Sequence, residues 1–279
     1  MHAIRSVLVA LHASKPESPA QELAVRWASR SGAELTGLAV VDETVAEPAA
    51  VPIGGGAFKQ EERDDLLSRR RRLVRESQDA FAGKCRAAKA TFRVEERAGV
   101  PHEILAREVQ AHDLAIVDRE PPEEYGAGES PLEAIERLIK ASSRPVVAVP
   151  DGHRPGSTAL VAFDGSTPAA RALFGWVGSG LASLGDAVLL TVDSESEQAA
   201  RSRAQSGLDY LRRHQIDVAF RPVVSGRSVS EIICEEATRA NCELIVMGPH
   251  GRSLFVEFFL GSVTKEVLGR AEVPVVLYH

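Results

Sequence analysis

Three features that this sequence has little of limit what the protein can be. The cysteines, Cys85, Cys234 and Cys242, are odd in number and lack the spacing of metal ligands, so we expect reduced, structural thiols in a cytoplasmic protein. No apolar run is long enough to span a membrane, and residues 1–10 lack the form of a signal peptide. Positive charge is not in excess either, and the formal net charge of -6 argues against nucleic acid as the main partner.

Two common nucleotide-binding motifs are missing, although a glycine pattern near the C-terminus has suitable surroundings for an anion. Gly248 and Gly251 follow the apolar run at residues 244–247, and Gly261 and Ser262 open a predicted helix. Glycines let backbone N–H groups approach an anion closely, and the first N–H groups of a helix are unpaired. No Gly-Lys-Ser/Thr follows at the Walker spacing, and the glycines lie too far apart for the dinucleotide fingerprint. The pattern therefore predicts a phosphate-binding loop between a strand and a helix.

The sequence repeats itself, which divides the chain into two halves. Three pairs of segments align: residues 6–14 with 158–166, 113–118 with 243–248, and 145–149 with 274–278. The offset falls from 152 residues (6 to 158) to 130 residues (113 to 243). The first half must therefore carry about twenty extra residues, which we place after Val41. Residues 151–157 are polar with proline and glycine and predict a linker, so we expect domains at 1–150 and 151–279.

The extra segment of the first half, residues 42–66, contains two prolines and three consecutive glycines. We expect a mobile loop there. A flap over the neighbouring site and a dimer contact remain alternatives, because the composition favours neither of them.

Each half alternates apolar strands with amphipathic helices in the same order. In the first half we predict strands at residues 7–10, 35–41, 92–96, 114–117 and 146–149. Helices are predicted after the N-cap Ser18, which proline follows, and over residues 104–109 and 132–139. In the second half, Ser228 and Glu231 predict a capping box. Five strands and four helices per half predict an α/β fold of two doubly wound domains, each a five-stranded parallel sheet flanked by four helices.

Three of the predicted strands carry information about the edges of the sheets. Residues 92–96 are polar and alternating, as expected of an edge strand. The final strands of the two halves, residues 146–149 and 275–277, are apolar and would leave exposed edges if they were unpaired. We therefore predict that they pair antiparallel, either within one chain or between two chains.

With these features the chain resembles a tandem universal stress protein, in which two copies of one fold cover nearly the full length. The second half carries the ATP-binding signature of that family, Gly-x2-Gly-x9-Gly-Ser/Thr, complete at Gly248, Gly251, Gly261 and Ser262. The resemblance implies Rossmann-like domains of the adenine nucleotide alpha hydrolase type. It also implies an adenine nucleotide (ATP, ADP or AMP, with or without Mg²⁺) between the ends of the first and fourth strands, and often a homodimer.

The resemblance also assigns roles to individual residues of the second half. Asp164 would accept hydrogen bonds from the ribose hydroxyls or the adenine amine, and Ala162 and Val192 would lie beside the base. The start of the last helix would offer N–H groups and hydroxyls to the phosphates. The expected nucleotide contacts are Ala162, Asp164, Val192, Met247, Gly248, Gly251, Arg252, Gly261, Ser262, Val263 and Thr264.

Taken alone, the same residues have simpler explanations. Asp164 would be a helix cap, a role for which Ser166 competes. The glycine loop would be a tight connection, and His250 a solvated loop residue. Arg69–Arg72 would be the solvated face of a helix and not a phosphate or RNA patch.

The first half departs from the signature at each key position. His12 replaces Asp164, and Asp118 replaces Gly248. A carboxylate in the first glycine position repels phosphate. Pro121, near the second glycine position, removes an N–H donor, and the segment around it is acidic. We therefore expect a degenerate copy and one nucleotide per chain.

Three functions are compatible with these residues. The first is an ATP-binding stress-response protein that is regulatory, because the glycine loop has no lysine and no carboxylate pair is placed to hold Mg²⁺. The second is a slow ATPase or adenylyl-transfer enzyme. The third is a dimeric scaffold that works without nucleotide. We assign no catalytic residue and no metal ligand.

Overall fold

The structure is a computed structural model that describes residues 3–13, 15–41, 56–120, 130–153, 155–249 and 260–279, with side chains between 56 and 120 described from residue 68. Within these residues, the first half alternates strands and α-helices. They are β1 (Ser6–Leu11), α1 (Pro19–Ser31), β2 (Glu34–Val41), α2 (Gly56–Ala87), β3 (Phe92–Ala98), α3 (Pro101–Glu108), β4 (Leu114–Asp118), α4 (Pro131–Ala141) and β5 (Val146–Val149).

The second half repeats this order in its described residues. Its elements are β6 (Thr158–Ala162), α5 (Thr167–Gly178), β7 (Asp186–Asp193), α6 (Glu197–Arg213), β8 (Ala219–Val224), α7 (Val229–Arg239), β9 (Cys242–Met247), α8 (Ser262–Arg270) and β10 (Val275–Leu277). The predicted alternation of five strands and four helices is confirmed in both halves. Short 3-10 turns at Val109–Ala111 and Leu181–Ser183 follow α3 and α5.

All ten strands form one sheet, in the order β3-β2-β1-β4-β5-β10-β9-β6-β7-β8. Within each half the strands are parallel, and the strand order reverses beside β1 and beside β6, as in a doubly wound fold. The halves meet where β10 pairs antiparallel with β5, with Val276 opposite Val147. The predicted pairing of the two final strands is therefore confirmed within one chain. The polar strand β3 lies at the sheet edge, as predicted.

The start of α1 shows how local sequence places these elements. Ser18 is the N-cap, and its hydroxyl oxygen accepts the N–H of Gln21 at 3.3 Å. Gly32 ends the helix with φ of 75°, a left-handed conformation that favours glycine. Between them, the buried stripe packs on the sheet: Ala20, Leu23, Ala24, Trp27 and Ala28.

The predicted capping box of α7 is wrong. Ser228 is the N-cap, but it makes no side-chain cap bond with any described residue. Glu231 instead pairs with two arginines, with Oε1 3.4 Å from Arg270 Nη1 and Oε2 3.7 Å from Arg227 Nη2, and the Ser228 hydroxyl lies 2.7 Å from that of Ser230. The box occurs in α4, where Ser130 N donates to Glu133 Oε2 at 2.8 Å and Glu133 N donates to Ser130 Oγ at 3.3 Å.

The extra length of the first half is partly helical. Residues 42–55 lie outside the described residues, but α2 begins at Gly56, so the loop expected for residues 56–66 is wrong. Because α2 has 32 residues and α6 has 17, much of the insertion lengthens this helix. Arg69, Arg71 and Arg72 are exposed, as expected of a solvated face. Neither α2 nor any other helix in the described ranges has the length and apolarity needed to cross a membrane.

The three cysteines are free thiols. Burial raises the pKa of Cys85 and Cys242 to about 11, and burial is also the main cause that raises the pKa of Cys234. Such thiols carry little thiolate at neutral pH, which fits the expected structural role.

A buried carboxylate strengthens the contact between the halves. Glu243, at the start of β9, accepts three hydrogen bonds from α1 of the other half. The donors are Trp27 Nε1 at 3.2 Å, Arg26 Nε at 3.3 Å and Arg30 Nη1 at 2.9 Å. A buried charge is tolerated when it is paired in this way. The β5–β10 junction is thus supported by side chains as well as by backbone hydrogen bonds.

Candidate functional site

A cavity of about 400 Å³ opens at the C-terminal ends of β6, β7 and β9. It lies beside β6, where the strand order reverses and doubly wound folds bind their ligands. Most of the predicted contacts line it: Ala162, Asp164, Val192, Met247, Gly248, Val263 and Thr264. Gly261 and Ser262 directly precede Val263 at the start of α8, outside the described lining of the cavity. Gly251 and Arg252, like His250, lie outside the described residues.

Two hydrogen bonds place the start of α8 beside the end of β9. Gly261 N donates to the Pro249 carbonyl at 2.9 Å, and Thr264 Oγ1 donates to the Gly248 carbonyl at 3.1 Å. Thr264 is buried, so its hydroxyl proton holds this junction together. The backbone N–H groups of the first turn of α8 have no partner inside the helix and remain the donors that a ligand would find here.

Gly248 is required by packing as well as by the signature. A Cβ at this position would lie 2.6 Å from the carbonyl carbon of Pro168 and 2.9 Å from Ala169 N. These are backbone atoms in the first turn of α5, which cannot swing aside as a flexible side chain does. Only glycine therefore lets the end of β9 approach α5 so closely.

Asp164 does not cap the helix that follows it. Ser166 is the N-cap of α5, with its hydroxyl oxygen accepting Ala169 N at 3.3 Å. Asp164 Oδ1 accepts the N–H of Ser166 at 2.9 Å, a local turn that holds the carboxylate at the cavity wall. The alternative of a helix cap is wrong, and the half-buried carboxylate has capacity for further hydrogen bonds.

The cavity wall also contains an ion pair between a buried carboxylate and a partly exposed arginine, which was not predicted from the sequence. Asp193 ends β7, and its Oδ2 lies 2.9 Å from Nε of Arg203 on α6. Its other oxygen, Oδ1, accepts the N–H of Glu195 at 2.7 Å. Arg203 is therefore a cation that a carboxylate holds at the cavity wall. The position of Asp193 at the end of an apolar strand, like that of Asp164, was the signal available in the sequence.

A second arginine at the cavity, Arg227, comes from the loop before α7. Its Nη1 donates to Glu235 Oε2 at 3.0 Å. No spacing rule indicates either arginine, because both reach the cavity only through the packing of α6 and α7. Among the described residues, no three His, Cys, Asp or Glu side chains cluster as metal ligands would.

The equivalent place in the first half is filled by protein. His12 Nε2 lies 3.2 Å from Asp118 Oδ2, and the two side chains are 2% and 0% exposed. Asp118 Oδ1 also accepts the N–H of Ala20, in the first turn of α1, at 3.2 Å. Burial by itself raises the pKa of Asp118. The hydrogen bond and the charge of His12, together with hydrogen bonds from Ala20 and Ser18, outweigh burial, so the pKa lies below its ordinary value.

The cavity beside this pair has a volume of only about 30 Å³. Its polar lining consists of His12, His102 and Asp118, and the remaining lining is apolar. This space suits one or two water molecules, whereas the cavity of the second half is large enough for a small-molecule ligand.

Taken together, the second-half site offers three kinds of contact around one cavity. Ala162, Val192 and Met247 form an apolar wall, and Asp164 contributes an acceptor carboxylate. The N-terminus of α8 contributes N–H donors that favour an anion. A ligand with a flat apolar part, hydroxyls and a negatively charged group would match these contacts.

Solved structures resemble this chain in fold, and a family model matches its second half. The model of the universal stress protein family matches residues 157–279. A universal stress protein from Archaeoglobus fulgidus is 18% identical, with 98% of this chain and 95% of that chain covered and a TM-score of 0.62. A functionally unknown protein from Pseudomonas aeruginosa is 16% identical, with 99% and 92% covered and a TM-score of 0.60. These structures share the fold with this chain, and no curated protein matches its sequence. The universal stress protein family model thus matches the half of the chain that carries the cavity.

Proposed function

We propose that the second half binds an adenine nucleotide, ATP in the first instance, with ADP and AMP as alternatives, and serves as a regulatory module in the stress response. The observation that carries the proposal is the cavity of about 400 Å³, with the Asp164 carboxylate in one wall and the N-terminus of α8 in another. Its volume lies in the range of about 300–1,000 Å³ that is typical of ligand pockets.

In this proposal each kind of contact has a partner on the nucleotide. The base packs against Ala162 and Val192, and the ribose hydroxyls donate to Asp164. The phosphates face the first N–H groups of α8, at Ser262 and Val263. Gly251 and Arg252 complete the phosphate contacts in the full chain.

A regulatory role is favoured over phosphoryl transfer by the loop sequence. Between Gly248 and Gly261 there is no lysine, the residue with which Walker loops hold the β- and γ-phosphates. The nearest described arginines, Arg203 and Arg227, each face a carboxylate that offsets their charge. The site thus has means to hold a nucleotide and few means to stabilise a transferring phosphoryl group.

We also propose domain limits of 1–150 for the degenerate copy and 151–279 for the nucleotide-binding copy, so that one chain is a pseudo-dimer. The β5–β10 pairing supports this, because it joins the two final strands inside one chain. A homodimer is then not needed to cover those edges. One nucleotide per chain follows from the His12–Asp118 pair, which fills the first site.

The test has three parts on the full chain. Acid-denatured purified protein is analysed for released adenine nucleotide, and nucleotide-free protein is titrated with ATP, ADP and AMP by calorimetry. Single-turnover assays with labelled ATP then distinguish binding from slow hydrolysis or adenylyl transfer. Release of nucleotide or saturable binding supports the proposal. Absence of both would favour the nucleotide-independent scaffold and overturn it.

A further inference from the structure

A buried carboxylate of the first half, that of Glu136, contacts the start of α8 in the second half. Glu136 on α4 accepts the N–H of Leu260 through Oε1 at 3.0 Å. Glu136 is 6% exposed and Leu260 is 4% exposed, so this hydrogen bond is shielded from water. Leu260 is the residue directly before Gly261, where the helix with the unpaired N–H groups begins.

The same carboxylate also faces two ammonium groups. Lys140 Nζ, one turn later on α4, lies 3.2 Å from Oε1, and Lys265 Nζ lies 3.8 Å from Oε2. Lys265 belongs to α8, so Glu136 contacts both the entry and the second turn of that helix. Its charge is compensated locally, which lets a buried carboxylate serve as an acceptor next to an anion site.

Two successive N–H groups at the start of α8 therefore have anchors in different halves of the chain. Leu260 N donates to Glu136 of the first half, and Gly261 N donates to Pro249 of the second half. The direction of the next N–H groups, which are expected to face the phosphates, depends on the path of this short segment. Both halves thus determine the geometry of the proposed phosphate contacts.

We infer that Glu136 is a positioning residue for the nucleotide site of the other half. The degenerate half would then contribute an anchor to the one functional site instead of a second nucleotide site. This inference rests on the proposed function, because it assigns to Glu136 an effect on nucleotide affinity. If the hydrogen bond from Leu260 to Glu136 makes a nucleotide bind more tightly, then by thermodynamic linkage the bound nucleotide must also stabilise this hydrogen bond.

The decisive comparison uses three variants of the full chain. Glu136→Gln keeps an oxygen that can accept from Leu260, and Glu136→Ala removes the acceptor. The matched control is Glu243→Gln, which removes the charge that pairs with Arg26 and Arg30. Glu243 lies at the same junction between the halves, but at the opposite end of β9 from the cavity. Glu136→Asp, which keeps the charge and withdraws the acceptor by one methylene, replaces Glu136→Ala if that variant does not fold.

Calorimetry with ATP measures affinity, and thermal unfolding measures stability. We expect Glu136→Ala to weaken ATP binding about tenfold, within the usual range of coupling between two sites. Glu136→Gln should stay within about threefold of the parent. Glu243→Gln should lower the melting temperature without changing the affinity. Hydrogen exchange of ligand-free protein should show faster exchange at Leu260 N–H in Glu136→Ala only, and ATP should slow this exchange in the parent.

Two failures are distinguishable. If the parent binds no adenine nucleotide, the proposed function is wrong and the role of Glu136 at that site fails with it. If the parent binds ATP but Glu136→Ala binds equally well, only the positioning role is overturned. The positioning role is also overturned if Glu243→Gln weakens binding as much as Glu136→Ala, because any loosening of the junction would then have the same effect.

Discussion

His12 and Asp118 form a buried pair, with Nε2 and Oδ2 3.2 Å apart, at the place where the first half repeats the cavity of the second. Asp118 reaches across to the first turn of α1 and accepts the N–H of Ala20. In the second half, Gly248 occupies the same position and lines the cavity of about 400 Å³. The His12–Asp118 contact thus occupies space that a ligand would need, and the same contact stabilises the fold of the first half.

The Asp118 contacts make the stability of the protein depend on pH. The pKa of Asp118 is lower in the folded protein than its ordinary value of 3.8, so the unfolded chain takes up the proton first as the pH falls. The stabilisation is fully present above 3.8 and is lost as the pH falls through the depressed folded value. We expect Asp118→Asn to lower the free energy of unfolding by about 3 kcal/mol at pH 7, because a buried pair loses one charge.

Urea unfolding of the parent and Asp118→Asn, stepwise from pH 7 to pH 3, measures this effect. The difference between the two stabilities should begin to shrink as the pH falls below 3.8. A difference that stays constant over the whole range would show that Asp118 acts by its shape and not by its charge.

The stoichiometry of nucleotide binding should be one per chain. A repeat of two similar domains would otherwise hold two, but the first site has about 30 Å³ against about 400 Å³ in the second. The Asp118 carboxylate also repels phosphate at that place. Calorimetric titration of nucleotide-free protein with ATP gives the number directly, and a value of two would contradict the degenerate first half.

Replacing Gly248 by alanine should destabilise the second half. The added methyl group would meet the Pro168 backbone at 2.6 Å, and overpacking of this kind costs about 1–3 kcal/mol. The matched control is Gly178→Ala, at the end of α5, where a Cβ has no neighbour within 4 Å. The control should be neutral or stabilising. Urea unfolding of both variants checks this, and equal stabilities would contradict the proposed close packing.

The elements that the sequence predicted well are those set by local pattern. The apolar runs of β4 and β9 indicated buried parallel strands, and Ser18 with its following proline indicated the start of α1. The apolar sequences of β5 and β10 indicated their antiparallel pairing, because each strand would expose an apolar edge if it were unpaired.

What the sequence did not predict depends on residues that are far apart along the chain. The pairing of Asp193 with Arg203 needs the packing of α6, and the hydrogen bond from Leu260 to Glu136 spans both halves. Glu231 does not form the expected capping box and pairs with Arg270 and Arg227 instead. Periodicity and short motifs carry no information about such partners, so these contacts follow only from the assembled sheet.

The sharpest test of the proposed site is a negative charge at the start of α8. Gly261→Glu places a carboxylate at the N-cap, where the phosphates are expected, and should reduce ATP affinity by several kcal/mol, on the order of a desolvated charge clash. The same substitution at Gly269 is the control, because Gly269 lies on the same helix, is exposed and has no neighbour within 4 Å of an added Cβ. Calorimetry should show no binding for Gly261→Glu and parental affinity for Gly269→Glu. A Gly261→Glu variant that binds ATP like the parent would place the nucleotide elsewhere.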